Sequence, residues 1–287
     1  MKPQKNNTAS KEHASLLYWT AAIFFLIFTL GPLVWAFIVS ITPEHEMFKN
    51  TVRFLPETPT FDNFIRLFTV NRQSKLFWKS VVNSLSAAAL TLVIGMPCAI
   101  CCAYALSRLR FPGRRAIRAT LFITMAIPVF STIIPLYKMF SDYRLLDNLF
   151  WLSLVYVTSF LPLITWFTAN WFHTIPRELE EAAYLDGCGR LQTFFKVILP
   201  ISGPILFSAA LMIVLMSWNQ FQIPLILASS RATKPVSIIT SEFVVKDSVQ
   251  YGLTTAAGLT ALFPPAVLAL FFHKFLIRGL TGGAVKG

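Results

Sequence analysis

Six long apolar stretches alternate with polar segments along the chain. A helix of about 20 residues crosses a bilayer core of about 30 Å, and each stretch reaches that length. Backbone polar groups in lipid must be satisfied within the chain, so such stretches form helices rather than open strands. Prolines at positions 128, 135 and 162 predict kinks in the third and fourth stretches. We predict an all-α polytopic membrane protein, a single domain over residues 1–287, with these six transmembrane helices: 15–41, 78–106, 119–140, 150–173, 205–229 and 255–275.

Composition agrees with this membrane prediction. Of the 287 residues, 55% are hydrophobic and 13% are charged, and the mean hydropathy is +0.61, which is more apolar than a soluble domain needs. The net charge of +12 would suggest nucleic acid in a soluble protein, but here the charges lie mostly in loops and tails, so we predict no nucleic-acid partner. The first span is much longer than a signal-peptide core and no cleavage motif follows it, so we expect it to be retained.

The charges between the second and third spans predict the orientation of the chain. This short loop contains no acidic residue and five arginines: Arg108, Arg110, Arg114, Arg115 and Arg118. Short loops rich in Lys and Arg remain on the cytoplasmic side. Counting spans from this loop places both termini and residues 174–204 on that side as well. The overall bias is weak, because the outer segment 42–77 also carries basic residues.

The polar segment 174–204, between the fourth and fifth spans, predicts two short helices. Pro176 suits the first helical position, and three acidic residues near it favour a helix start: Glu178, Glu180 and Glu181. Gly187 can adopt the left-handed conformation that closes the first helix. Pro200 marks the expected end of the second helix, over 191–199, whose apolar residues are expected on one face: Leu191, Phe194, Phe195 and Ile198.

Seven residues of this segment form a spaced motif: Glu181, Ala182, Ala183, Asp186, Gly187, Leu199 and Pro200. The motif resembles the E-A-A loop of the membrane subunits of binding-protein-dependent ABC importers, although Cys188 and Val197 depart from the usual residues. The resemblance implies that residues 174–204 carry a cytoplasmic coupling helix, which docks into a groove on a separate ATPase subunit. The alternative is an ordinary amphipathic connector on the membrane surface.

Two further stretches resemble the carbohydrate branch of that family, which includes maltose transporters. One is the glycine-rich tail at 278–287, and the other is a run in the fifth span: Trp218, Asn219, Phe221, Pro224 and Leu225. The resemblance implies the ABC importer permease fold in a bacterial-type inner membrane, importing a sugar or oligosaccharide. The implied partners are membrane lipid, a second related permease subunit, two ATPase subunits and an external solute-binding protein. ATP and Mg²⁺ would bind to the ATPase, so we predict no cofactor in this chain.

The fifth span also holds the most polar run within any span. Polar groups in lipid are costly and usually face other helices or a cavity. One interpretation is that four side chains line the path of a hydroxyl-rich solute: Trp218, Asn219, Gln220 and Gln222. The other is that they only hydrogen-bond neighbouring helices together. A polar solute other than a sugar stays open as an alternative.

Other function classes fit the sequence less well. A proton-coupled secondary transporter usually needs a carboxylate inside a span, and the six predicted spans contain none. The chain lacks the G-x-x-x-x-G-K-[ST] loop that cradles ATP phosphates, so the energy must come from another subunit. The four histidines and four cysteines lack the spacing of a catalytic, metal or disulfide framework, so we predict neither enzyme activity nor a metal site. A scaffold that docks an ATPase without transport stays open.

Overall fold

The computed structural model describes residues 7–48, 54–69, 72–245 and 248–281, so the end of the tail motif, residues 282–287, lies outside the described part. Within it, four helical segments are long and apolar enough to cross a membrane: Tyr18–Ser40, Arg72–Arg108, Leu149–Thr174 and Tyr251–Phe272. Two bent pairs raise the number to six if each pair is one span: Arg114–Ala126 with Val129–Asp142, and Arg190–Ile201 with Gly203–Trp218. The predicted helical, membrane-spanning fold is confirmed.

The elements follow one another with short connections. The helices are α1 (Asn7–Ser40), α2 (Glu44–Met47), α3 (Asp62–Phe68), α4 (Arg72–Arg108), α5 (Arg114–Ala126), α6 (Val129–Asp142), α7 (Leu149–Thr174), α8 (Glu178–Leu185), α9 (Arg190–Thr193), a π-helical turn (Phe194–Ile198), α10 (Leu199–Ile201), α11 (Gly203–Trp218), α12 (Gln222–Leu227), α13 (Val236–Glu242) and α14 (Tyr251–Thr281). A two-residue antiparallel strand pair, β1 (Val244–Val245) and β2 (Ser248–Val249), precedes α14.

Contacts divide the chain into two compact units. The first comprises the described residues up to Ser74 together with Phe243–Thr260, and the second comprises the remaining described residues. In the first unit, Asn63 Nδ2 donates to Ser40 O at 2.9 Å, which ties α3 to the end of α1. A Cβ atom at Gly252 would lie 2.3 Å from Asn63 Nδ2, so any larger residue there would displace this side chain.

In the second unit, the third predicted span is broken in its middle. The axes of α5 and α6 differ by 94°. Pro128 lacks a backbone N–H, and its ring disfavours a helical residue before it, so Ile127 is extended with φ −75° and ψ 118°. The kink expected at Pro128 is therefore a complete break. Pro162, in contrast, lies inside α7 without interrupting that helix.

Helix α7 forms the centre of the core of the second unit. Every fourth residue on one of its faces is buried: Leu152, Tyr156, Phe160 and Ile164. Helix α11 repeats this spacing with three residues of the same cluster: Ile205, Ala209 and Ile213. A Cβ atom at Gly95 of α4 would lie 3.4 Å from Val157 Cγ2, so α4 also packs closely on α7. This packed set of helices carries the polar segment 174–204.

Candidate functional site

The first helix of the predicted coupling segment, α8, begins one residue later than expected from its proline. Arg177 is the N-cap residue, and Arg177 O accepts from Glu180 N at 2.9 Å and from Glu181 N at 3.0 Å. Pro176 therefore precedes the cap, which corrects the prediction that it occupies the first helical position. The three acidic residues do lie in the first turn, where the helix dipole favours negative charge.

Gly187 ends α8 in the way that the sequence predicts. Its φ is +82°, and its N–H donates to Tyr184 O at 3.1 Å. Cys188 N donates to Ala183 O at 2.9 Å, which completes the paired bonds of a Schellman motif. No atom lies within 4 Å of a Cβ built at Gly187, so the glycine is required by its backbone conformation and not by crowding.

The second helical piece extends further than predicted, because Pro200 does not end it. Helical structure runs from Arg190 to Ile201 through the π-helical turn. Leu199 N donates to Phe194 O, a bond across five residues, and Pro200 lies in the first turn of α10, where its missing N–H is tolerated. The chain bends by 77° at Ser202, just beyond the proline.

The π-helical turn also changes which residues share a face. Phe194 and Ile198 are buried, whereas Leu191 and Phe195 are exposed. The single apolar face predicted for these four residues is therefore wrong, because they form two pairs, each four residues apart, on opposite sides. One pair anchors the segment and the other faces outward. The signal was present in the spacing, but the sequence alone does not say which pair meets the core.

An ion pair joins α8 to the end of α4. Arg108 Nε lies 3.1 Å from Glu180 Oε1, and these side chains are 4% and 13% exposed. Arg108 Nη2 also donates to Ile175 O at 2.6 Å, on the connection before α8. Removing either charge would leave the other buried without its counter-ion, which is unfavourable. The pair therefore fixes the start of the coupling segment to the membrane-spanning helices.

Aromatic side chains anchor the second helical piece to the same place. The ring centroid of Tyr104 lies 4.6 Å from that of Phe194 and 6.2 Å from that of Phe172. All three belong to one buried cluster, which also contains Ile175 and Ile198. The cluster joins α4, the end of α7 and the π-helical turn. The coupling segment is thus attached through both of its helical pieces.

Two arginines of the short basic loop satisfy the carbonyl groups that end α4. Arg114 Nε donates to Leu106 O at 2.7 Å, and Arg114 Nη1 donates to Leu109 O at 3.1 Å. Arg118 Nη2 donates to Leu106 O at 3.0 Å. The last carbonyls of a helix have no partner within the helix, and cations are favourable there. These arginines therefore have a structural role in addition to any effect on orientation.

The motif residues occupy both faces of the coupling segment. Ala183 is buried and Leu199 is half-buried, whereas the other five are exposed: Glu181, Ala182, Asp186, Gly187 and Pro200. Sequence reasoning missed two more exposed residues of this segment, because Leu185 is 90% exposed and Leu191 is 74% exposed. Large aliphatic side chains this exposed, outside the apolar spans, are typical of a binding surface. We call Leu185, Leu191 and Phe195 the apolar tip.

The polar run of the fifth span is divided by the structure. Trp218 is 5% exposed, and its Nε1 donates to Ala261 O of α14 at 3.1 Å. This carbonyl would normally accept from the residue four positions later, but Pro265 has no N–H to donate. The indole therefore replaces a missing helix bond. For Trp218, the structure favours helix packing over contact with a solute.

The amide side chains of the run have other surroundings. Asn219 is exposed, and Gln220 and Gln222 are half-buried. Gln220 Oε1 accepts from Phe221 N at 3.1 Å, so part of this amide caps the break before α12. Asn219 and Gln222 thus stay predicted residues of a solute path, separate from the buried indole.

A second polar cluster, which sequence reasoning did not assign, holds the segment between α12 and α13. The Asp147 carboxylate accepts from Ser230 N at 2.6 Å and from Thr233 Oγ1 at 3.1 Å. Asn83 Nδ2, on α4, donates to Ala232 O at 2.9 Å. Burial raises the pKa of Asp147, but these hydrogen bonds outweigh burial and hold its pKa below the ordinary value of 3.8. Asp147 has a positive φ of 57°, which an aspartate tolerates.

Comparison with known proteins decides the family. Residues 91–282 match the family described as binding-protein-dependent transport system inner membrane component. This chain belongs to that family. The permease is 34% identical over 274 residues to the trehalose transport system permease protein SugB of Mycobacterium tuberculosis, covering 94% of this chain and 97% of that protein. It is 29% identical to the trehalose/maltose transport system permease protein MalG of Thermococcus litoralis, covering 95% and 97%.

Solved structures agree with the fold of the permease. A chain from the crystal structure of a bacterial ABC transporter involved in the import of the acidic polysaccharide alginate superimposes with a TM-score of 0.79. The match covers 95% of the permease and 99% of that chain at 22% identity. The resemblance to ABC importer permeases is confirmed, and the permease is a multi-pass membrane component of a transport system.

Proposed function

We propose that this permease is one of two related membrane subunits of an ATP-driven importer, and that it couples to ATPase subunits through residues 174–204. The observation that carries the proposal is the coupling segment itself. Its apolar tip is exposed, while its opposite side is joined to α4 and α7 by the Arg108–Glu180 ion pair and the Tyr104–Phe194 contact. A surface so fixed transmits force, because its displacement must also move the helices to which it is attached.

The composition of the tip suggests how an ATPase subunit would bind. Leu185 and Leu191 present aliphatic side chains, and acidic residues of α8 lie beside them: Glu181 and Asp186. An apolar centre with a charged rim is the usual arrangement of a protein interface. We expect the leucines to enter an apolar groove and the carboxylates to meet basic groups at its edge.

The proposed cargo is a sugar or oligosaccharide delivered by an external solute-binding protein. Support comes from the relatives, whose names assign them trehalose, trehalose/maltose and arabinooligosaccharides. Further support comes from a solved complex of the alginate transporter with a periplasmic protein bound to an alginate pentasaccharide; its matching chain has a TM-score of 0.66 and 20% identity. Asn219 and Gln222 supply amide donors and acceptors that suit hydroxyl groups. ATP and Mg²⁺ would bind on the ATPase subunits, and this chain would carry out no hydrolysis.

Substitution at the tip tests the coupling proposal. We expect the double variant Leu185→Ser and Leu191→Ser to co-purify with less ATPase subunit and to lose most solute-stimulated ATP hydrolysis. Leu55→Ser is the matched control, because Leu55 is 67% exposed but lies in the first unit. Wild-type ATP hydrolysis per mole of complex in the double variant would refute the assignment of the tip.

Two further measurements test the cargo and the orientation. Saccharide binding to the solute-binding protein that stimulates the purified complex identifies the cargo, and binding of amino acids or ions alone would refute the sugar proposal. Single cysteines at Gly113 and Thr60 report the orientation. We expect an impermeant thiol reagent outside intact cells to label position 60 and not position 113, and the opposite result would invert the topology.

A further inference from the structure

A groove of about 190 Å³ lies between α5 and α7 in the second unit. Buried residues form its floor: Leu106, Pro162, Thr165 and Ala169. Phe122 and Trp166 form its rim, where they are 45% and 43% exposed and their ring centroids are 6.5 Å apart. The groove therefore opens between two aromatic rings on the outer surface of this chain, within two predicted spans.

The groove is polar at one end and apolar at the other. Arg118 and Asn170 line the end beside the basic loop, whereas Met125 and Pro162 line the far end. Each pair of ends is seven or eight residues apart along its helix, so the gradient extends over about 10 to 12 Å at 1.5 Å per residue. Arg118 Nη2 donates to Leu106 O at 3.0 Å and to His173 Nε2 at 2.9 Å, which fixes the guanidinium at the polar end.

The charge around the polar end favours an anion. Arg108 is paired with the carboxylate of Glu180. Arg114 and Arg118 instead contact carbonyl oxygens, which leave their charges uncompensated. A guanidinium also carries further N–H donors on Nε and Nη1, in a fork that matches the oxygens of a phosphate. The polar end of the groove can therefore hold a phosphate group.

We propose that this groove binds an anionic phospholipid, with the phosphate against Arg118 and one acyl chain between Phe122 and Trp166. Basic pockets between transmembrane helices on the cytoplasmic side bind anionic headgroups, and the sequence predicts this side for the basic loop. The volume is below the roughly 300 to 1,000 Å³ of pockets that enclose a whole small molecule. It suits one chain segment whose headgroup stays outside, rather than the transported solute.

Photocrosslinking in the assembled complex tests the proposal. The photoreactive residue p-benzoylphenylalanine is placed at position 122, and the complex is reconstituted in vesicles of equimolar phosphatidylglycerol and phosphatidylcholine with identical acyl chains. Mass spectrometry of the adducts then reports the bound lipid. We expect phosphatidylglycerol adducts to exceed phosphatidylcholine adducts at least about fivefold, which corresponds to the headgroup preference supplied by one basic residue.

Two variants locate the preference at the groove. Arg118→Gln should bring the adduct ratio close to one, and so, in part, should Asn170→Leu, which leaves the carbonyl contacts of Arg118 intact. Arg115→Gln is the charge-matched control, because Arg115 is exposed on the same helix but does not line the groove; it should keep the wild-type ratio. A ratio near one without these changes would overturn the proposal, as would adducts with a partner subunit or a headgroup preference that inorganic phosphate abolishes.

Discussion

Arg108 and Glu180 are separated by 71 positions in the sequence, yet Arg108 Nε lies 3.1 Å from Glu180 Oε1 at the junction of α4 and α8. Since both side chains are nearly buried, the pair acts as a fixed joint and not as a mobile surface contact. Its value to the transporter is positional: it keeps the coupling segment at one angle to the membrane-spanning helices.

Breaking this pair should therefore damage coupling and stability together. We expect Glu180→Gln to lower the unfolding free energy by about 3 to 5 kcal/mol, because it leaves the Arg108 charge buried without a counter-ion. The double variant Arg108→Met and Glu180→Leu should recover part of this loss, since it removes both charges. Thermal unfolding of the purified complex measures the difference. Glu178→Gln, at an exposed position of the same turn, is the control.

Gly187 should be sensitive to substitution through its backbone alone. Because its φ is +82°, we expect Gly187→Val to strain the turn after α8, redirect the apolar tip and abolish solute-stimulated ATP hydrolysis. Gly189→Val is a close control: Gly189 has φ −73°, and its Cβ would also meet no atom within 4 Å. Activity is measured per mole of assembled complex. Equal activities of the two variants would show that the left-handed turn is not needed for coupling.

The interaction of Trp218 with α14 predicts an unusual dependence on a proline. Trp218→Phe should destabilise the permease by about 1 to 3 kcal/mol, because Ala261 O loses its donor inside the protein. In a Pro265→Ala background the new backbone N–H can reach this carbonyl, so the same substitution should cost less. A double-mutant cycle on unfolding free energies tests this. Additive effects would contradict the replacement of a helix bond by the indole.

The amide beside the indole should behave differently. We expect Asn219→Ala to leave stability within about 0.5 kcal/mol of wild type, because its side chain is exposed. Solute uptake should nevertheless fall if Asn219 lines the path. Uptake into vesicles, normalised to assembled complex, separates the two roles, and normal uptake would remove Asn219 from the predicted path.

Asp147 should make the segment between α12 and α13 sensitive to acid. Its pKa is lower in the folded protein than its ordinary value of 3.8, so its stabilising contribution is complete above pH 3.8 and is lost as the pH falls through the lower, folded pKa. Asp147→Asn should increase amide exchange at Ser230 already at pH 7, where wild type is protected. Asp142→Asn, at an exposed site, is the control. Equal protection in all three proteins would show that the carboxylate does not hold this segment.

Hydropathy was enough to predict the long helices, because a span needs only length and apolar composition. It could not tell Pro128, which breaks its helix, from Pro162, which does not, since the outcome depends on the packing around each proline. The turn at Gly187 was predictable, because only local backbone geometry decides it. The partners of Trp218 and Asp147 were not, because each contact joins residues more than 40 positions apart.

The bend at Ser202 gives the coupling segment a mechanical advantage. No loop separates α10 from α11, so the segment and the fifth span form a cranked lever with its pivot at this residue. Helix α11 has 16 residues and is about 24 Å long at 1.5 Å per residue, so a 10° rotation about the pivot would swing its far end by about 4 Å. That far end is Trp218, where the indole grips α14. A small stroke at the ATPase would thus arrive, amplified, at the polar run.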